Sequence, residues 1–183
     1  MQSQLVKAWF GNKYENLHPQ LQKLHLQGGT LTGEINLSYG QGVAGLIGRR
    51  LAKKMGLPKS GNHQLTVIIS HDHEGLHWGR RFNNQEVVES LFIPQGVIED
   101  GYWIEKTGPL EMNLTVEIRN GGWHWQCLKV KFYGFPLPLW LIPKTIAYKY
   151  IENHKYRFHV EFVLPFIGSL VSYEGLLVAE ENL

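Results

Sequence analysis

The chain has 183 residues, 43% of them apolar and 19% charged, with a formal net charge of +2. That composition excludes a disordered chain, and so balanced a charge gives no basis for nucleic-acid binding. A single cysteine, Cys127, excludes an intrachain disulfide framework and points to a reducing, cytoplasmic compartment.

The length fits one domain over 1–183. Residues 1–10 contain no signal-peptide pattern, and no apolar run reaches the roughly 18 residues of a membrane span. Residues 14–27 predict a short helix, with Leu17, Leu21 and Leu24 at helical spacing and Gly28-Gly29 ending it. Thr30–Tyr39 predicts a strand. Gly40-x-Gly42-x-x-Gly45 then leads into a helix over 43–55, with Val43, Ala44, Ile47, Leu51 and Met55 as its apolar stripe. Arg49, Arg50, Lys53 and Lys54 favour its C-terminal half, and Gly56 and Pro58 stop it.

From Gln64 the apolar pattern has period two. It predicts strands at 64–71, 76–82, 86–93, 97–106, 110–119, 123–133, 145–152, 155–164 and 169–178. In 110–119, Leu110, Met112, Leu114, Val116 and Ile118 face one way and polar residues the other, which is the antiparallel signature. Asn83-Asn84, Asn120-Gly121-Gly122 and Asn153-His154 suit hairpins. The apolar phase shifts after Cys127, as a β-bulge would make it. The expected fold is mainly β: an antiparallel barrel-like or curled sheet of nine to ten strands, with one or two helices packed on or in it. A barrel this wide must be filled by a helix, by loops or by a ligand.

Two motifs resemble familiar sites. Gly40-x-Gly42-x-x-Gly45 matches a dinucleotide fingerprint, but no parallel βαβ unit follows, so a tight strand-to-helix turn is expected, with Gly40 and Gly42 as anion or turn candidates. His73-Glu-Gly-Leu-His77 matches a zinc-protease pattern that needs a helix, whereas Gly75 and the flanking alternation predict a hairpin and no metal. Trp78, Arg80 and Phe82 share one otherwise apolar face. An inward guanidinium needs an anionic partner, and Glu105, beside Trp103, is the expected one.

Residues 134–143 are apolar but carry Pro136, Pro138 and Pro143, which keep them out of the ladder. Phe135, Pro136, Leu137, Pro138, Trp140 and Pro143 are expected to fold over the barrel end as a lid that buries Trp140. The alternative is an exposed docking surface.

The chain resembles a bacterial family known as domain-of-unknown-function family 4166, from about Leu17 to Leu177. The resemblance is carried by Leu24-His25, the Gly40/Gly42 turn leading to Leu57-Pro58, Trp78-x-Arg80-x-Phe82 and Glu105-x-x-Gly-Pro-Leu110. It continues through Gly134-x-Pro-Leu-Pro138, Leu141-x-Pro143, Ala147, Pro165-x-x-Gly168 and Tyr173-x-Gly175. It brings Tyr173 into the pocket set. In the family pattern an acidic residue commonly stands two positions after the alanine, where this chain has Lys149.

The resemblance also implies that such modules can be joined to nicotinamide-dependent oxidoreductase or epimerase-type domains. The leading expectation is a non-catalytic binder of an apolar or amphipathic small molecule inside the barrel, with no cofactor. An enzyme or an accessory domain for an oxidoreductase-type partner is the first alternative. A protein- or membrane-docking module is the second.

Overall fold

Ten antiparallel strands close into a barrel, and an eleventh short strand is added outside the closed circuit. The structure is a computed structural model that describes residues 4–180 apart from Asn84 and Glu86. The chain opens with α1 (Leu5–Phe10), a 3₁₀ turn (Gly11–Asn16) and α2 (Pro19–Gln27). Then come β1 (Gly29–Tyr39), α3 (Gly42–Lys54), β2 (Gly61–His71), β3 (Leu76–Phe82), β4 (Val88–Gln95), β5 (Tyr102–Thr107) and β6 (Leu110–Arg119). The rest is β7 (Gly122–Phe132), β8 (Phe135–Leu137), a 3₁₀ turn (Leu139–Leu141), β9 (Lys144–Glu152), β10 (Lys155–Leu164) and β11 (Gly168–Ala179). The β6–β7 hairpin and the long-range pairing of β1 with β11 complete the circuit.

The alternation that predicted the strands is the inside–outside alternation of the wall. On β6, Leu114 and Val116 are buried, and Leu114 stands opposite Cys127. Asn113 is opposite Lys129, so Leu128 is the extra residue of a bulge at the predicted phase shift. The predicted strand 97–106 is corrected: β5 starts at Tyr102. Residues 97–101 form a loop instead, in which Ile98 N donates to the Trp9 carbonyl (2.8 Å), tying the loop to α1. The predicted strand start at Glu86 and the residue Asn84 lie outside the described residues.

The helix predicted over 14–27 is shorter, with Pro19 as its first residue and the His18 ring nitrogen accepting from Gln20 N (3.2 Å). The sequence reading missed α1. Val6, Trp9 and Phe10 stand at helical spacing and are almost wholly buried, so α1 plugs one end of the barrel, here called the lower end. Trp9 packs on Trp103 with ring centroids 5.5 Å apart, and Phe10 on Trp123 at 4.7 Å. His18 N donates to the Gly121 carbonyl in the β6–β7 turn (2.9 Å), and the Tyr156 hydroxyl donates to the Gln20 carbonyl (2.9 Å).

α3 crosses the opposite, upper end. Its buried stripe is Ala44, Gly45, Gly48 and Ala52, with Ile47, Leu51 and Met55 half-buried; Val43, expected in the stripe, is exposed. The small residues let the helix lie close against β11. A Cβ added at Gly40 would collide with the Ser169 carbonyl, and Gly42 turns the chain with φ +54°. The glycine motif is thus a close-packed strand-to-helix turn.

Candidate functional site

The inward faces of β3, β4 and β5 build a chain of polar groups inside the barrel. Arg80 Nη2 donates to Ser90 Oγ (2.5 Å), Ser90 Oγ shares a hydrogen bond with Thr107 Oγ1 (2.5 Å), and Thr107 Oγ1 donates to Glu105 Oε1 (3.2 Å). Arg80 and Glu105 are therefore brought together as expected, but through two hydroxyls rather than as a direct ion pair. Ser90 is 1% exposed and Glu105 9%. Burial pushes the Glu105 carboxyl up, while the Arg80 charge and the two hydroxyls pull it back. Burial likewise raises the Tyr173 phenol against the pull of Arg80. Phe82 meets Tyr173 edge-on at 6.2 Å. Arg80 Nε is buried without a hydrogen-bond partner among the described residues.

Trp78 and Trp103, the other expected pocket residues, belong to an aromatic layer nearer the plug. Its centre is Lys149, 7% exposed, with its Nζ 4.0 Å from the Trp78 ring centroid and 4.2 Å from that of Trp123. Burial holds the Lys149 amine well below its usual range. His25 is fully buried, stacks on Trp78 at 5.7 Å, and has no partner at either ring nitrogen among the described residues. Burial first, then the Lys149 and His71 charges, push its pKa well down. Ser90, Thr107, Lys149 and His25 were not placed in the candidate site by sequence. The inward phase of β4 and β9 could have marked Ser90 and Lys149, each set between apolar neighbours.

Beside Glu105 lies a cavity of about 40 Å³, lined by Glu105, Met112, Leu114, Trp125, Cys127, Thr145 and Ala147. It sits under a short seam. β7 and β9 pair only from Trp123 opposite Lys149 to Trp125 opposite Ala147, after which β7 pairs with β8 instead. A shallow depression of about 280 Å³ on the outer face, over Glu34, Asn36, Arg157 and Glu174, is open to solvent and lies away from these groups.

The lid expectation is corrected. Trp140 is 75% exposed and Phe135 74%, and Leu139 and Leu141 are exposed as well. The crossover from β8 through the 3₁₀ turn leaves these side chains in solvent instead of burying them over the barrel end. Pro136, expected outside the ladder, stands opposite Lys131 in β8, an edge strand whose free side does not need the missing N–H. In the other motif, residues 72–75 form the expected hairpin turn: Asp72 Oδ1 accepts from Glu74 N (2.8 Å) and Gly75 N (3.1 Å). The His77 ring, 2.8 Å from Asp72 Oδ2, is the main cause holding that carboxyl down to about 2. The Asp72, Glu74 and His77 ligating atoms lie within 4.8 Å of one another on this solvated turn, and His73 stands outside the group.

No helix among the described residues is long and apolar enough to cross a membrane. Compared with curated proteins, the chain matches none. The model of a family described as a domain of unknown function, DUF4166, matches residues 17–177, and the chain belongs to that family.

Proposed function

We propose that this chain is a non-catalytic docking domain whose upper end settles on an anionic membrane surface. The observation that carries the reading is where its exposed apolar side chains lie. Of the fourteen large apolar residues exposed among the described residues, ten belong to upper-end connections or the strand ends beside them. They include Val43 and Leu46 of α3, Phe135, Trp140, and Phe166 and Ile167 in the β10–β11 turn. A patch of that size on one face marks a partner surface.

Charge favours a lipid partner. α3 exposes Arg49, Arg50, Lys53 and Lys54 on the same end, and Lys144 opens β9 beside the proline stretch. The lower-end segments carry Glu15, Asp72, Glu74, Glu99 and Asp100 against Lys7, Lys13 and Lys23, so their charge is mixed. Apolar residues rimmed by cations suit the headgroup region of an anionic leaflet, where each lysine or arginine contributes about 1 kcal/mol. A cytoplasmic leaflet is the fitting one for a chain with a free cysteine.

The interior binder of an apolar or amphipathic molecule is the second reading, favoured by the cavity beside Glu105. An oxidoreductase-type partner rests on family resemblance alone. Cosedimentation tests the docking reading. Vesicles of phosphatidylcholine with about one-third phosphatidylserine should retain the protein, with a blue-shifted tryptophan emission that added salt weakens. Pure phosphatidylcholine vesicles should retain little. No retention by either, or a concentration-dependent dimer that shields Trp140, overturns the reading.

A further inference from the structure

We infer that the seam between β7 and β9 is a port to a head-group site, and that it takes a single-chain amphipath whose head is uncharged and hydrogen-bonding, such as a monoacylglycerol or a long-chain alcohol. Along this seam the wall is incomplete. Beyond Trp125 and Ala147 the two strands no longer pair, and the chain leaves through β8 and returns at Lys144. The side chains that flank the gap are small: Cys127, Thr145 and Ala147. Behind them the cavity of about 40 Å³ has room for roughly three water-sized atoms, enough for the terminal hydroxyl of a head group and the carbons next to it, but not for the ester or the acyl chain. The tail must therefore stay in the seam and run outward along the proline crossover, where Leu139 and Leu141 are exposed.

Glu105 selects the head. It is the one carboxyl lining the cavity, it is about nine-tenths buried, and Thr107 holds one of its oxygens. The remaining walls are mostly apolar. A second anion there would be desolvated next to Glu105, and no cation is among the residues that line the cavity. A hydroxyl head loses far less hydration and, being both donor and acceptor, can exchange hydrogen bonds with the carboxyl in either protonation state. The site does not depend on bilayer docking, which would only shorten the route of a membrane-borne amphipath to the port; the ligand can be offered from solution.

The single cysteine provides a readout, because Cys127 lines the cavity. Its alkylation by N-ethylmaleimide is followed by mass spectrometry on the intact protein, with monodecanoylglycerol, decanoate or no addition. At a ligand concentration about ten times the dissociation constant, monodecanoylglycerol should slow labelling about tenfold, and decanoate should leave it unchanged. Glu105→Gln should keep the protection and Glu105→Leu should lose it. Ala147→Leu, which fills the cavity, should also lose it, and Thr145→Leu serves if that variant does not fold. Unchanged labelling in the wild type overturns the site. Equal protection by decanoate overturns the uncharged head, and full protection in a folded cavity-filled variant overturns the location. Vesicle binding without protection leaves the docking reading standing and this one refuted; protection without vesicle binding does the reverse.

Discussion

The two ends of this barrel solve the same problem in opposite ways. At the lower end the chain supplies its own plug: Val6, Trp9 and Phe10 enter the interior and the linking backbone groups are hydrogen-bonded to the β4–β5 and β6–β7 connections. At the upper end α3 covers part of the opening with small residues, and the aromatic side chains beside it point outward. Six tryptophans are thus divided by surroundings: Trp9, Trp103 and Trp123 are buried, Trp78 and Trp125 are half-buried inside the barrel, and Trp140 stands in solvent. The lower end stabilises the fold, and the upper end presents surface that folding leaves uncovered.

Mutations at the two ends should separate by size. Trp9→Ala removes the centre of the plug and should cost about 3–5 kcal/mol in denaturant unfolding; a loss below about 1 kcal/mol would show that the lower end is not sealed by α1. Arg80→Ala, between the ends, strips the charge that opposes burial of Glu105 and leaves Ser90 short of a donor. It should cost about 2–3 kcal/mol, with Glu105→Gln in the same background recovering part of the loss.

Lys149→Met should raise stability at neutral pH by about 1 kcal/mol, since it removes a buried amine that has no hydrogen-bond partner among the described residues. The pH dependence gives the sign. The Lys149 pKa is lowered in the folded state, so the unfolded chain binds more protons between that value and the usual lysine range. Wild-type stability from this group should therefore rise with pH through that window and level off above the unfolded value, and Lys149→Met should flatten the rise. A melting series from neutral to alkaline pH checks it. The smallest effect belongs to the upper rim. Trp140→Ala should change stability by less than about 0.5 kcal/mol while weakening retention on anionic vesicles. A loss of several kcal/mol would mean that the rim is structural after all, and the contrast between the ends would collapse.

Much of the wall was legible because period-two alternation is a local property. β6 announces its inward face in its own ten residues, and the phase shift after Cys127 announced the bulge at Leu128. What escaped was set by tertiary geometry. α1 is only six residues long, so its single turn and a half of apolar spacing carried little signal before the barrel it fills was known. Arg80 and Glu105 were legible as an inward pair, but not the Ser90 and Thr107 bridge, because two hydroxyls on neighbouring strands reveal nothing until register places them together. The lid failed for a different reason. It rested on the rule that monomers hide such patches, and here ten residues from separate connections share one exposed end.

The β1–β11 ladder has a consequence for how the chain folds. Leu31 pairs with Ala179, and Tyr39 with Val171, so the wall is closed by strands that are almost as far apart in sequence as the described residues allow. Hairpins such as β9–β10 can form as soon as they are made, but the circuit cannot close until β11 is available. Until then Trp9, Phe10 and the inward faces of nine strands have no complete interior to enter. Such a high contact order makes folding slow and leaves the nascent chain exposed to aggregation, so its yield should depend on temperature and chaperone supply more steeply than its final stability suggests.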